Sequence, residues 1–111
     1  MVASKTELFD EVLVEQANIY KALAHPARLA ILKYLAETRT CISGDISDEL
    51  PLSRTTVGQH LKELKESGLI LGHVEGVKTN YCLNPEQVER VSNLLNGFLD
   101  ELKLTKNLNC Q

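Results

Sequence analysis

Apolar residues recur along the chain at helical spacing in several stretches and at the density of a hairpin in one. From Thr6 to Leu23 the positions Phe9, Leu13, Ala17 and Tyr20 form a helical stripe. His25-Pro26 interrupts it, and Pro26 suits the first turn of a second helix that carries Ala27, Ile31 and Leu35 and ends near Glu37. Thr38 to Ile42 is short and rich in β-branched residues, so it is expected to be extended. Gly44 to Leu50 has room for two helical turns before Pro51, which disfavours helix at the residue ahead of it. Ser53 is a good N-cap for a helix reaching Ser67-Gly68, with Gly68 as the stop. Leu69 to Val74 and Val77 to Leu83 flank Glu75-Gly76 and predict a β-hairpin. Asn84 then caps a last helix, with Pro85 at its first position and Gln87 where a capping box would want it.

The predicted order is helix, helix, short strand, helix, helix, hairpin, helix. Two helices joined by a tight turn and followed by a two-stranded wing make a winged helix-turn-helix, a mainly α fold with a small β-hairpin. Residues 1–111 are expected to form one such domain, with a DNA-binding helix at about 54–67, the wing at about 69–83 and a dimerisation helix at about 85–104.

On a wheel of 100° per residue, Val57, Leu61 and Leu64 share the core face of the helix after Ser53. Thr55, Gln59 and Lys62 fall opposite them, with Thr56 alongside. A helix that enters the major groove needs this division, apolar anchors behind and short polar or amide side chains in front. Ser53, Arg54 and Lys65 flank the stripe and could reach phosphates, as could Lys78 and Thr79 in the wing. His60 sits on the edge of the core face, where a structural hydrogen bond competes with DNA contact. His73 reads equally as wing surface. In the final helix Val88, Val91, Leu95, Phe98 and Leu102 repeat at three and four residues. That face is broader than a small domain covers by itself, so it is expected to pack, with Phe9 and Leu13 of the first helix, against a second copy.

Composition modifies this reading only slightly. The net charge of −3 is unusual for a chain that meets DNA, but it is uneven: residues 53–80 hold four basic and three acidic side chains, leaving −4 on the rest. No run approaches the roughly 20 apolar residues of a membrane helix. The acidic N-terminus has no signal-peptide core, so a cytoplasmic location is expected. Three scattered histidines, with no phosphate loop and no nucleophile–base spacing, give no basis for an enzyme. The rival of another class is a winged helix that binds protein and not DNA, which the acidic balance favours and the Thr55, Gln59, Lys62 stripe disfavours.

Leu23 to Leu32, Leu52 to Leu64, and Glu66 to Ile70 with Glu75-Gly76 together resemble the ArsR/SmtB repressors, over about residues 18–84. The resemblance implies a dimeric repressor on palindromic double-stranded operator DNA, released by a ligand that is often a metal or metalloid ion. Gly58 stands where the family usually has serine, which removes one contact and costs helix stability, about 1 kcal/mol against alanine. The family's thiolate site reads Cys-x-Cys, but here Cys41-Ile42-Ser43 puts a hydroxyl at the second position, a poor ligand for soft ions. From Pro85 to Gln111 there is no histidine, which argues against the family's carboxylate–histidine site on the last helix. Cys41, Cys82 and Cys110 remain. They are either structural or a sensor for arsenite, antimonite, another thiophilic ion or a thiol-reactive agent. An inducer-independent regulator is the alternative.

Overall fold

The computed structural model describes residues 8–38, 42–43, 46–76 and 78–104. Helix α1 spans Glu11–Leu23, α2 Pro26–Thr38, α3 Arg54–Glu66 and α4 Pro85–Lys103. Strands β1 (Ile42–Ser43), β2 (Ile70–Glu75) and β3 (Lys78–Leu83) form one antiparallel sheet in the order β1-β3-β2. The sheet pairs Ile42 with Tyr81 and Ile70 with Leu83. Gly76, at φ +62°, takes the left-handed position of the β2–β3 turn.

α1 starts later than its apolar stripe predicts. Asp10 caps it, its carboxylate accepting from the Val12 N–H at 2.8 Å, so Phe9 lies just outside the helix. Pro26 opens α2 as expected, and the cap is unusual: the Ala27 N–H donates to His25 Nδ1 at 3.0 Å. Thr38 closes α2 by donating its hydroxyl to the Leu35 carbonyl. Of the segment from Gly44 to Leu50, where there was room for two helical turns, the described residues Ile46–Glu49 form one 3-10 turn ahead of Pro51.

Ile19, Ile31, Leu35, Ile46, Val57, Leu61, Leu64, Leu69, Ile70 and Val91 make one core, so all four helices, the 3-10 turn and the wing meet in it. Val91 is therefore packed inside its own chain, at 7% exposure, and not on the outward face where its spacing had placed it. A carboxylate–guanidinium pair, Glu15 with Arg90, joins α1 to α4. Arg90 holds the Glu15 carboxyl below its usual range. Buried Gln16 donates to Tyr20 Oη within α1 and to the Leu94 carbonyl of α4.

The capping box at α4 does not close. Asn84 makes no side-chain cap bond; its Nδ2 donates to the Gly68 carbonyl at 3.0 Å, and Gln87 Nε2 donates to the Ser67 carbonyl at 3.0 Å. Both amides satisfy carbonyls just past the C-terminus of α3, at its C-cap Ser67 and at Gly68. Gly68, at φ +84°, makes the reversal, and a Cβ placed there would come within 3.4 Å of the Gln87 side chain. The end of α3 and the start of α4 are thus locked to each other.

Candidate nucleic-acid interface

The sequence of α3 sets its two faces. Val57, Leu61 and Leu64 are buried, at 2%, 7% and 0% exposure, and hold the helix on the core. Arg54, Thr55, Thr56, Gln59, Lys62 and Lys65 are exposed. Ser53 is the N-cap, its Oγ accepting from the Thr56 N–H at 3.2 Å, which fixes the first turn. Gly58 lies in the exposed face between Thr55 and Lys62, and a Cβ placed there meets nothing within 4 Å. The surface is open, polar and anchored from behind, and it begins at a capped helix N-terminus, where backbone N–H groups favour phosphate.

The flanking residues are less alike than the sequence suggests. Lys65 lies over β2, where a Cβ on Gly72 would come within 3.4 Å of its chain end, so Gly72 leaves room for it against the wing. In the wing, Thr79 is half-buried on β3 and His73 is exposed on β2. Lys78 belongs to β3 next to the turn. Val74 is 73% exposed near the hairpin tip.

His60 is turned inward. It is 8% exposed, and its Nδ1 accepts from Arg28 Nε at 3.1 Å. The His25 ring lies beside it, with centroids 4.3 Å apart at 45°. Burial holds its pKa below the usual histidine value, with the charges of His25 and Arg28 acting the same way and Glu63 opposing them. A side chain so placed supports the helix and offers no free edge to a base pair. Arg28 and His25 were not legible as partners of this helix, because nothing in the spacing along the chain joins residue 28 to residue 60.

Outside α3, an apolar surface is exposed by α1, by Phe9 just ahead of it, and by α4. Phe9, Val12 and Leu13 are 61%, 50% and 49% exposed, and Val88, Phe98 and Leu102 are 41%, 37% and 52% exposed. Leu95 is half-buried on the same helix. A cleft of about 450 Å³ runs between the two helices, with Leu13, Gln16, Leu94 and Phe98 in its walls.

Cys82 is half-buried on β3, and its sulfur is engaged in a disulfide. Cys41 and Cys110 lie outside the described residues. Among the described residues no group of three His, Cys, Asp or Glu side chains is arranged to hold a metal ion. None of their helices is long and apolar enough to cross a membrane.

Known proteins share this arrangement. Residues 23–73 match the family model of a helix-turn-helix domain. The chain is 35% identical over 79 residues to an uncharacterized HTH-type transcriptional regulator of Methanocaldococcus jannaschii, covering 71% of this chain and 89% of that protein. It is 36% identical over 73 residues to the HTH-type transcriptional repressor SmtB of Mycobacterium tuberculosis, covering 66% of this chain and 53% of SmtB. The chain thus spans about half the length of SmtB. Among solved structures it resembles the homodimeric winged helix-turn-helix DNA-binding domain of a possible ArsR-family transcriptional regulator from Mycobacterium bovis. That match has a TM-score of 0.64 and 28% identity over 91% of this chain and 90% of the other.

Proposed function

The chain belongs to the ArsR/SmtB family of winged helix-turn-helix transcriptional regulators, and we propose that it is a homodimeric repressor whose α3 reads operator DNA and whose release depends on thiol chemistry at Cys82. Its function is DNA-binding transcriptional regulation, and it is not an enzyme. The observation that carries the reading is the exposed face of α3. Thr55, Gln59 and Lys62 stand in line around the open Gly58, behind a capped N-terminus and in front of three buried anchors. In the groove, Gln59 offers an amide of the kind that pairs with adenine, and Lys62 an ammonium for guanine or phosphate. Ser53, Arg54, Thr56, Lys65, Lys78 and Thr79 would fix the register on the backbone.

Dimerisation supplies the second helix that a palindrome requires. The apolar faces of α1 and α4 support it: Phe9, Leu13, Val88, Leu95, Phe98 and Leu102 would meet their copies across a two-fold axis. The Mycobacterium bovis domain is itself homodimeric.

The described residues do not fit a soft ion such as arsenite. Such an ion takes thiolates, and the one described cysteine has its sulfur in a disulfide. A thiol-reactive inducer fits better. β3 pairs with β1, and β1 leads through the 3-10 turn to α3, so a bond at Cys82 bears on the base of the wing. Cleavage by a thiol reductant takes two electrons and two protons and leaves two thiols. The test is an anisotropy titration against a duplex recovered from a random-sequence pool, with the chain reduced and then oxidised by a hydroperoxide. At least about a tenfold difference, abolished in Cys82→Ser, supports the proposed sensor. Specific binding with no difference leaves an inducer-independent regulator; no recovered duplex refutes the DNA reading.

A further inference from the structure

One charged side chain joins the helix proposed to enter the groove to the helices proposed to dimerise. Arg28, in the first turn of α2, points its guanidinium between two elements. Nε donates to His60 Nδ1 on α3 at 3.1 Å, and Nη1 donates to the Lys21 and Ala22 carbonyls at the end of α1, at 3.2 and 3.4 Å. Those carbonyls lie in the last turn of α1, where the helix dipole favours a cation; the Lys21 carbonyl also accepts from the Ala24 N–H at 3.1 Å. The guanidinium is rigid and planar, so fixing two of its nitrogens fixes the third. It therefore sets where His60, and with it the middle of α3, lies relative to α1.

We infer that Arg28 is the positioning residue of the DNA-binding helix, and that it holds α3 only while His60 Nδ1 is an unprotonated acceptor. This rests on the proposed reading of α3 and adds its regulation by proton concentration. The chemistry is one-directional. A guanidinium has donors only, so a protonated His60 would set N–H against N–H and the bond would be lost. The groups facing the imidazole are His25 from the α1–α2 turn, Arg28 from α2 and Glu63 from α3 itself. Two of the three disfavour a second positive charge. Burial and these charges hold its pKa below the ordinary histidine value, so the neutral form, with its proton on Nε2, predominates at pH 7.

The sign of the effect separates it from ordinary electrostatics. Positive charge gained elsewhere on the surface as pH falls raises affinity for a polyanion. Loss of the Arg28–His60 bond works the other way, by loosening α3. His60→Asn isolates the second effect, because an asparagine Oδ1 can take the place of Nδ1 as acceptor and does not titrate.

The experiment uses the full chain and a duplex recovered by wild type from a random-sequence pool. Anisotropy is read from pH 8 to pH 5.5 at fixed ionic strength. Relative to His60→Asn, wild type is expected to lose about tenfold in affinity or more as pH falls through the His60 titration, with the two within about threefold at pH 8. Arg28→Lys keeps the charge but cannot bridge both partners, and is expected to bind about tenfold more weakly at pH 8. Nitrogen-15 spectra of the imidazoles should show His60 with its proton on Nε2 at pH 7, a readout independent of DNA. If wild type and His60→Asn have parallel pH profiles, or if Arg28→Lys binds as wild type does, the inference is overturned while the DNA reading stands. If wild type recovers no duplex, the DNA reading falls and the inference falls with it.

Discussion

Replacing Gly58 with alanine should stabilise this protein, although the residue lies at the centre of its proposed working surface. A glycine inside a helix costs about 0.8–1.0 kcal/mol relative to alanine, because the unfolded chain has more backbone freedom to lose. The gain is realised only where the new methyl has room. Gly58 is exposed in the middle of α3, its backbone is helical, and a Cβ there meets nothing within 4 Å, so no packing cost offsets the gain. At a urea dependence of about 1–3 kcal/mol per molar, the unfolding midpoint should rise by about 0.3–1 M with an unchanged slope. The assay is urea unfolding followed by circular dichroism at one fixed protein concentration, since association would make the midpoint concentration-dependent. An unchanged or lowered midpoint would refute the reasoning, by showing that the position is occupied or that α3 is not helical there.

Gln59→Ala should lose about 1–3 kcal/mol at one base pair of the recovered site and less at substituted sites, whereas Lys62→Ala should weaken all duplexes alike and flatten the salt dependence. Binding titrations over a panel of single-base variants at two salt concentrations distinguish them. Leu64→Ala, at a side chain with 0% exposure, should cost about 2–5 kcal/mol in the same unfolding assay. Phe98→Glu should shift the chain toward monomer in sedimentation velocity, without unfolding it, because Phe98 is partly exposed in the free chain. Arg90 depresses the Glu15 carboxyl, so that pair stabilises the fold above the ordinary carboxylate value, and its contribution is lost as pH falls through the depressed one. Glu15→Gln should therefore show a flatter acid limb of stability against pH.

What could be read in the sequence was whatever a single helix or hairpin decides for itself. Val57, Leu61 and Leu64 share a face by spacing, and they are buried together. Ser53 and Gly68 mark the ends of α3 by cap chemistry, and they occupy those ends. The hairpin was legible from the two β-prone runs around Glu75-Gly76, and β2 and β3 pair there. The misses lie where a distant partner outweighs a local rule. Gln87 had the right position for a capping box, but the open carbonyls of α3 were a better acceptor set for its amide than the local arrangement. Val91 continued the stripe of α4, but its position on the stripe falls on the side that meets the core. The amphipathic reading cannot separate those two sides, because both are apolar. His60 and Arg28 are joined through space alone, so the histidine's inward role could be named as an option and its partner could not.

In the proposed complex, two copies of α3 lie in successive major grooves. The most direct measurement is a hydroxyl-radical footprint of the wild-type chain on the duplex it recovers from a random pool. Two protected segments related by two-fold symmetry are expected, with centres about 10–10.5 base pairs apart, and both should be lost in Gln59→Ala at a concentration that just protects with wild type. A single protected segment, or protection that survives in Gln59→Ala, would contradict it.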